Sequence, residues 1–193
     1  GAEGPVNLTV RKDPGRGMQN AGGICGMEIW DGYFADGTPA GRDLVRGEAI
    51  PEGLYHMVCQ ILVRHTDGDY LLMQRDFAKP NFGGCYDATA GGSALKGEDP
   101  FTCARRELLE ETGITAGSLE KIGSCRSKNT IYHNFLCVTD QEKDSITLQP
   151  GETISFRWVS EKEFIDFVNS GRMIEPQKNR YQAYFVKMGY LPG

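Results

Sequence analysis

Residues 106–111 read Arg-Glu-Leu-Leu-Glu-Glu, which sets three carboxylates, Glu107, Glu110 and Glu111, at i, i+3 and i+4. Those spacings are neighbours on a helix surface. The three acids would therefore share a face and repel one another by roughly 0.2–0.5 kcal/mol per pair unless a cation lies among them. A hard divalent ion meets that need, because Mg²⁺ (or Mn²⁺) takes oxygen ligands, keeps several waters and completes its shell with substrate phosphates. The chemistry such a cluster could serve is metal-assisted reaction at a phosphate group. A phosphorus that already carries negative oxygens resists attack by water, and a metal both neutralises them and lowers the pKa of bound water.

A helix is needed to put the acids together, and the sequence punctuates one. Asp99 is a fair N-cap, Pro100 fits the first helical position, and Gly113 can supply the left-handed residue that ends it. Phe101, Ala104, Leu108 and Leu109 are expected to form its buried stripe, leaving Glu107, Glu110 and Glu111 facing a shared cavity. The plain alternative is a solvated acidic helix face.

Around these acids the spacing is more specific. Gly92 is followed after five residues by Glu98, and Arg106, Glu107, Leu108, Glu110, Glu111, Gly113 and Ile114 complete the pattern in register. The segment 92–114 resembles the Nudix box. The resemblance implies an α/β fold, an α/β/α sandwich with a mixed β-sheet, and metal-dependent cleavage of a pyrophosphate bond. It implies that Glu107, Glu110 and Glu111 bind Mg²⁺, with Glu98 and the backbone of Gly92 completing the sites. It also implies that Arg106, which cannot bind a cation, pairs with a box glutamate and fixes its rotamer. The base that activates water would be either a box glutamate or a later carboxylate. Glu152, in PGETISFRW, is the candidate, with a solvated loop acid as the alternative. Arg75 and Lys79 would contact substrate phosphates or else form surface ion pairs. Phe82, Tyr86 and Tyr132 would stack on a base or else pack in the core, and His56 and His133 read as satisfied strand residues.

Composition narrows the partners. A net charge of −5 over 193 residues argues against a broad basic surface for a nucleic acid polymer, which draws its affinity from Lys and Arg contacts to phosphates, but leaves small nucleotides open. The six cysteines form no C-x-x-C pair or zinc spacing and read as reduced thiols, with Cys59 and Cys103 as small buried hydrophobes. No apolar run near twenty residues and no signal peptide occur, so a cytoplasmic protein with no membrane partner is expected.

Residues 1–26 are glycine-rich and aperiodic and are expected to be a flexible leader or appended segment, with Met27 a plausible natural start and residues 27–193 one Nudix domain. Glu28 to Ile50 reads as an N-terminal β-hairpin turning at Ala35-Asp36-Gly37-Thr38. His56–Arg64 and Tyr70–Gln74 read as paired strands around Asp67-Gly68-Asp69. Further strands are expected at Tyr86–Ala90, Ser118–Ser124, Tyr132–Thr139 and Thr153–Trp158. Helices are expected at Ser160–Asn169 and from about Pro176 to Met188. Strands and helices in this order imply a mixed sheet with helices on both faces.

The lead-in from Glu28 to Gly92 looks like the Nudix branch close to isopentenyl-diphosphate isomerase. In that enzyme a cysteine and a metal-binding histidine stand where this chain carries Ala90 and Gly92. Isomerisation is therefore the first rival reading and a non-catalytic nucleotide-sensing module the second, although the latter has no need to keep clustered acids. The hairpin offers an edge for pairing, so a homodimer is expected.

Overall fold

The computed structural model describes residues 26–192, so the leader expected over 1–26 lies outside the described residues apart from Gly26. The chain folds around β3 (His56–His65). Its residues alternate between two cores: Met57, Cys59, Ile61 and Val63 point to one face of the sheet, and Leu62 to the other. This is the period-2 geometry of a central strand. β3 runs parallel to β8 (Thr130–Thr139) on one side. On the other it pairs antiparallel with β6 (Thr89–Ser93) and, at Arg64 opposite Tyr70, with β4 (Tyr70–Arg75). β5 (Tyr86–Asp87) and β9 (Thr153–Val159) flank β4, and β7 (Ser118–Ser127) pairs with β8 to complete a seven-stranded mixed sheet. The antiparallel hairpin β1 (Ile29–Tyr33) and β2 (Pro39–Val45) stands apart from it.

Helix α1 (Pro100–Thr112) covers one face, burying Cys103, Ala104 and Leu108 against β3 and β6. On the opposite face lie α2 (Glu161–Asn169), α3 (Glu175–Arg180) and α4 (Gln182–Met188). α2 opens with a capping box in which the Ser160 hydroxyl accepts from the Glu163 N–H and Glu163 accepts from the Ser160 N–H. The layering is the expected α/β/α arrangement.

Three expectations need correction. The strand expected over Tyr86–Ala90 is two strands, because at Ala88 the chain changes partner from β4 to β3. The helix expected from about Pro176 to Met188 is two helices. Tyr181 breaks it, sinking into the core and donating its hydroxyl to the carbonyls of Gln60 and Phe135 at 2.8 and 3.1 Å. In α1, Phe101 and Leu109 are exposed, while Cys103, Glu107 and Thr112 are buried. The helix is thus rotated toward its acidic side, with Glu107 on the packed face.

Candidate active site

α1 is positioned by its own ends. The Asp99 carboxylate accepts from the Thr102 N–H at 2.7 Å, Pro100 follows, and Gly113 at φ 75° returns its N–H to the Leu109 carbonyl at 2.9 Å. These caps fix the helix against β6, so that Glu107, Glu110 and Glu111 line one cavity of about 420 Å³ together with Gly91 and Gly92. Gly92 is required there by space. A Cβ on it would stand 2.6 Å from Glu107 Oε1 and 2.8 Å from Oε2.

Arg106 is the hub of the acid cluster. Its Nε and Nη2 grip Glu98 at 2.6 and 2.9 Å, its Nη1 reaches Glu107 at 2.7 Å and Glu110 at 3.2 Å, and Nη2 also donates to the Ser93 carbonyl at 3.1 Å. The planar guanidinium fork suits this work, since it presents several fixed donors at once. Glu98 is accordingly not in the cavity. Both its oxygens are taken by Arg106, and one also accepts from the Leu95 N–H at 2.9 Å, so it lies outside the cavity lining as a clamp on Arg106. The Gly92 carbonyl likewise faces Cys103 Sγ at 3.7 Å, and what Gly92 contributes to the cavity is room for Glu107.

Glu111 differs from its neighbours. It accepts the Gly91 N–H at 3.0 Å, but among the described residues it has no cationic partner within ion-pair reach. Burial pushes its carboxyl up to about 8, against the Gly91 hydrogen bond and with help from the charges of Asp87, Glu107 and Glu152. Burial also raises Glu107, partly offset by Arg106. An all-oxygen donor set with one uncompensated carboxylate at its centre fits a hard divalent cation. With Arg106 holding two of the acids, no group of three or more such side chains among the described residues is gathered tightly enough to enclose an ion in this arrangement.

The opposite walls of the cavity are cationic. Arg75, at the end of β4, and Lys79, in the loop after it, both line it. Arg75 reaches Asp87 at 3.3 Å and the Asn81 carbonyl at 3.1 Å, and Lys79 pairs with Glu152. Glu152 therefore lines the cavity, with its side chain 40% exposed. Tyr86 does not: it lines a second cavity with Cys85, Phe167 and Arg172, where the Arg157 guanidinium lies 5.8 Å from its ring centre. The small β5 step that points Asp87 toward the acids turns Tyr86 away. Neither His56 nor His133 lines the acidic cavity. His56 stacks on Trp30 and bonds to Thr130 Oγ1 at 2.8 Å, and burial lowers His133 to about 4, keeping it neutral.

Several cavity residues were not singled out from sequence. Glu28 and Arg46, paired at 2.7 Å, bring in the β1–β2 hairpin as a wall. Asp87, buried, accepts from Gln177, from the Thr89 N–H at 2.8 Å and from Arg75, tying α3 to the sheet. Arg180 enters from the end of α3, its Nε on Gln60 at 2.7 Å and its guanidinium 4.2 Å from the centre of the Tyr132 ring. Only long-range contacts assemble these groups, and no local spacing signals them.

With this geometry in view, the comparisons with known proteins give the class. The NUDIX domain family model matches residues 54–183. An uncharacterised Nudix hydrolase of Listeria monocytogenes is 30% identical over 155 residues, covering 77% of this chain and 89% of the relative. The chain belongs to the Nudix family and is a Nudix hydrolase. It is also similar to the ADP-ribose pyrophosphatase of Bacillus subtilis, 25% identical over 176 residues, with 87% of this chain and 88% of that protein covered. A crystal structure from Deinococcus radiodurans shares the fold, with a TM-score of 0.60 at 17% identity over 75% of this chain and 91% of that one.

Proposed function

We propose that this Nudix hydrolase cleaves the phosphoanhydride bond of a nucleoside diphosphate linked to another group, or of a nucleoside triphosphate, with Mg²⁺ (Mn²⁺ substituting). The observation that carries the reading is the pairing of surfaces in one cavity. A carboxylate cluster around the uncompensated Glu111 faces Arg75 and Lys79, which are placed to take phosphate oxygens. Glu107, Glu110 and Glu111 are the residues that would hold the ion, which supplies charge neutralisation at phosphorus and a more acidic bound water. Arg106 fixes the rotamers of Glu107 and Glu110, so the acids are arranged before substrate arrives. Lys79 and Arg75 orient the phosphates, and Glu152, beside Lys79, takes the proton from the attacking water. The similarity to a relative named ADP-ribose pyrophosphatase supports a nucleoside diphosphate joined to a sugar as one member of this class.

The cysteine and histidine of the isomerase-like branch are both missing from their positions here. Ala90 is buried among apolar neighbours, and Gly92 has no space for a side chain. A homodimer in the cytoplasm remains our reading of the assembly, and a light-scattering mass of one chain would refute its first half. Among the described residues no helix is long and apolar enough to cross a membrane.

The test is a panel of nucleoside triphosphates and nucleoside diphosphate conjugates with Mg²⁺ in ¹⁸O water, read by mass spectrometry. Labelled phosphate products are expected, and they should vanish in Glu110→Gln and Glu111→Gln proteins that keep the wild-type circular dichroism spectrum. Tight binding of one panel member with no turnover would instead support a sensing module.

A further inference from the structure

We infer that the second cavity, between α2 and the strands β4, β5 and β9, is a binding site for a small organic anion: an apolar body of one or two rings that carries a single carboxylate or phosphate. It shares no lining residue with the acidic cavity, so the inference goes beyond the phosphoanhydride reading and does not depend on it. The cavity holds about 550 Å³, within the range of small-molecule sites. Its floor is apolar. Leu72 of β4, Val159 of β9 and Phe167 of α2 are all buried, and Tyr86 of β5 adds an aromatic wall. A ligand covering that floor gains by removing it from water.

An apolar hollow alone would be a packing irregularity, but this one is rimmed by cations with nothing to neutralise them. Arg157 lies 5.8 Å from the centre of the Tyr86 ring and Arg172 5.9 Å from that of Phe167, and among the described residues neither reaches a carboxylate. The two acids on the same rim are engaged elsewhere. Glu163 accepts the Ser160 N–H at 2.8 Å in the capping box of α2, and Asp166 accepts from Lys162 at 3.4 Å. Arg172 is also held in place. Its backbone N–H and its Nε both donate to Ser170 Oγ at 3.1 Å, the Ser170 hydroxyl donates to the Phe167 carbonyl at 2.8 Å, and Gly171, at φ 76°, makes the reversal between them. That leaves both Nη groups of Arg172 and the whole Arg157 fork free to grip a planar or tetrahedral anion. The floor takes the body of the ligand and the arginines take its charge. A cationic ligand finds its carboxylates already used, and a neutral one leaves both guanidiniums unanswered.

Cys85, exposed among the lining residues, reports occupancy. The experiment follows its alkylation by N-ethylmaleimide in the full chain, read on the Cys85 peptide by mass spectrometry, against three probes. Naphthoate carries both body and charge, naphthalenemethanol the body alone and acetate the charge alone. Naphthoate should slow alkylation with a half-effect below about 1 mM, and each of the other two should need at least roughly tenfold more. Arg157→Gln with Arg172→Gln should remove that roughly tenfold advantage and leave naphthalenemethanol unchanged. Lys187→Gln, which deletes a cation outside the lining, should change nothing. Both arginines are exposed, so the variants should fold, as melting temperatures will check, and each single change, expected to cost part of the advantage, keeps the comparison alive if the double one does not fold. No slowing by naphthoate, equal slowing by all three probes, a naphthoate effect that survives both arginine changes, or an equal loss in Lys187→Gln would overturn the assignment. So would a lower oligomeric mass in the double variant, which would make the arginines a contact between copies. None of these outcomes touches hydrolysis, which stands or falls on the ¹⁸O assay with the Glu110 and Glu111 variants.

Discussion

Replacing Glu111 by Gln should stabilise the metal-free protein at alkaline pH while abolishing turnover, and the size of the effect follows from the site. The carboxyl's ordinary value is 4.5, and burial among acids carries it to about 8. Below 4.5 the group is neutral in both folded and unfolded chains. Between 4.5 and about 8 the unfolded chain has released its proton while the folded one retains it, so stability falls as pH rises; above 8 the penalty is constant. The full interval corresponds to roughly 5 kcal/mol at about 1.4 kcal/mol per pH unit. Partial exposure of the side chain reduces that to roughly 2–3 kcal/mol. Glutamine is the shape of the protonated acid and can still accept the Gly91 N–H. In EDTA at pH 9 the variant should therefore melt about 4–12 °C above wild type, given about 2–4 °C per kcal/mol for a domain of this size, and at pH 4 the two should coincide. Magnesium should raise the wild-type melting temperature at pH 9 and leave the variant's unchanged. Thermal melts by circular dichroism over pH 4–9, with and without Mg²⁺, make the measurement. A Glu111→Gln protein that melts lower than wild type at pH 9 in EDTA, or that turns over substrate at the wild-type rate, would refute the reasoning.

Other perturbations test the same arrangement. Gly92→Ala places a Cβ 2.6 Å from Glu107 Oε1; displacing that carboxylate should raise the Mg²⁺ concentration needed for half-maximal turnover at least tenfold while the melting temperature moves little. Arg106→Lys keeps the charge but loses the fork that joins Glu98, Glu107, Glu110 and the Ser93 carbonyl. Denaturant titration should show a loss of roughly 2 kcal/mol, alongside a lower kcat. Glu152→Gln should lower kcat by about 10²–10⁴-fold with little change in KM, whereas a change confined to KM would reduce Glu152 to the partner of Lys79.

What the sequence made legible was what local chemistry decides. Both ends of α1 are written in Asp99, Pro100 and Gly113, because capping bonds span three or four residues and need no distant partner. The hairpin turns at Gly37 and Gly68, with φ of 86° and 101°, were readable for the same reason. The buried face of α1 was legible in part. Ala104, Leu108 and Cys103 are buried as expected, but Phe101 and Leu109, which hydrophobicity also favoured, are exposed, and Arg106 compensates the burial of Glu107 that this rotation brings. Likewise the break at Tyr181 depends on carbonyls of β3 and β8 that lie 121 and 46 residues away. Within the site, the acids on one helix announced themselves by spacing. Asp87 of β5, Gln177 and Arg180 of α3, and Glu28 and Arg46 at the ends of the β1–β2 hairpin reach the cavity from three parts of the chain whose separation in sequence gives no spacing to read.

The charge pattern of the cavity also bears on the order of events. Six carboxylates line it, Glu28, Asp87, Glu107, Glu110, Glu111 and Glu152, and all but Glu111 have an arginine or lysine partner at rest. A polyanionic substrate entering such a cavity finds no idle cation at Arg75 or Lys79 and must compete with Asp87 and Glu152 for them. Asp87 can yield Arg75 at small cost, since Gln177 and the Thr89 N–H still satisfy it. Glu152 has no such reserve among the described side chains. A phosphate that takes Lys79 leaves Glu152 unpaired beside the acids. On the proposed mechanism, binding of the phosphate and release of Glu152 are then one exchange of partners, which keeps Glu152 paired with Lys79 until there is an anhydride for water to attack.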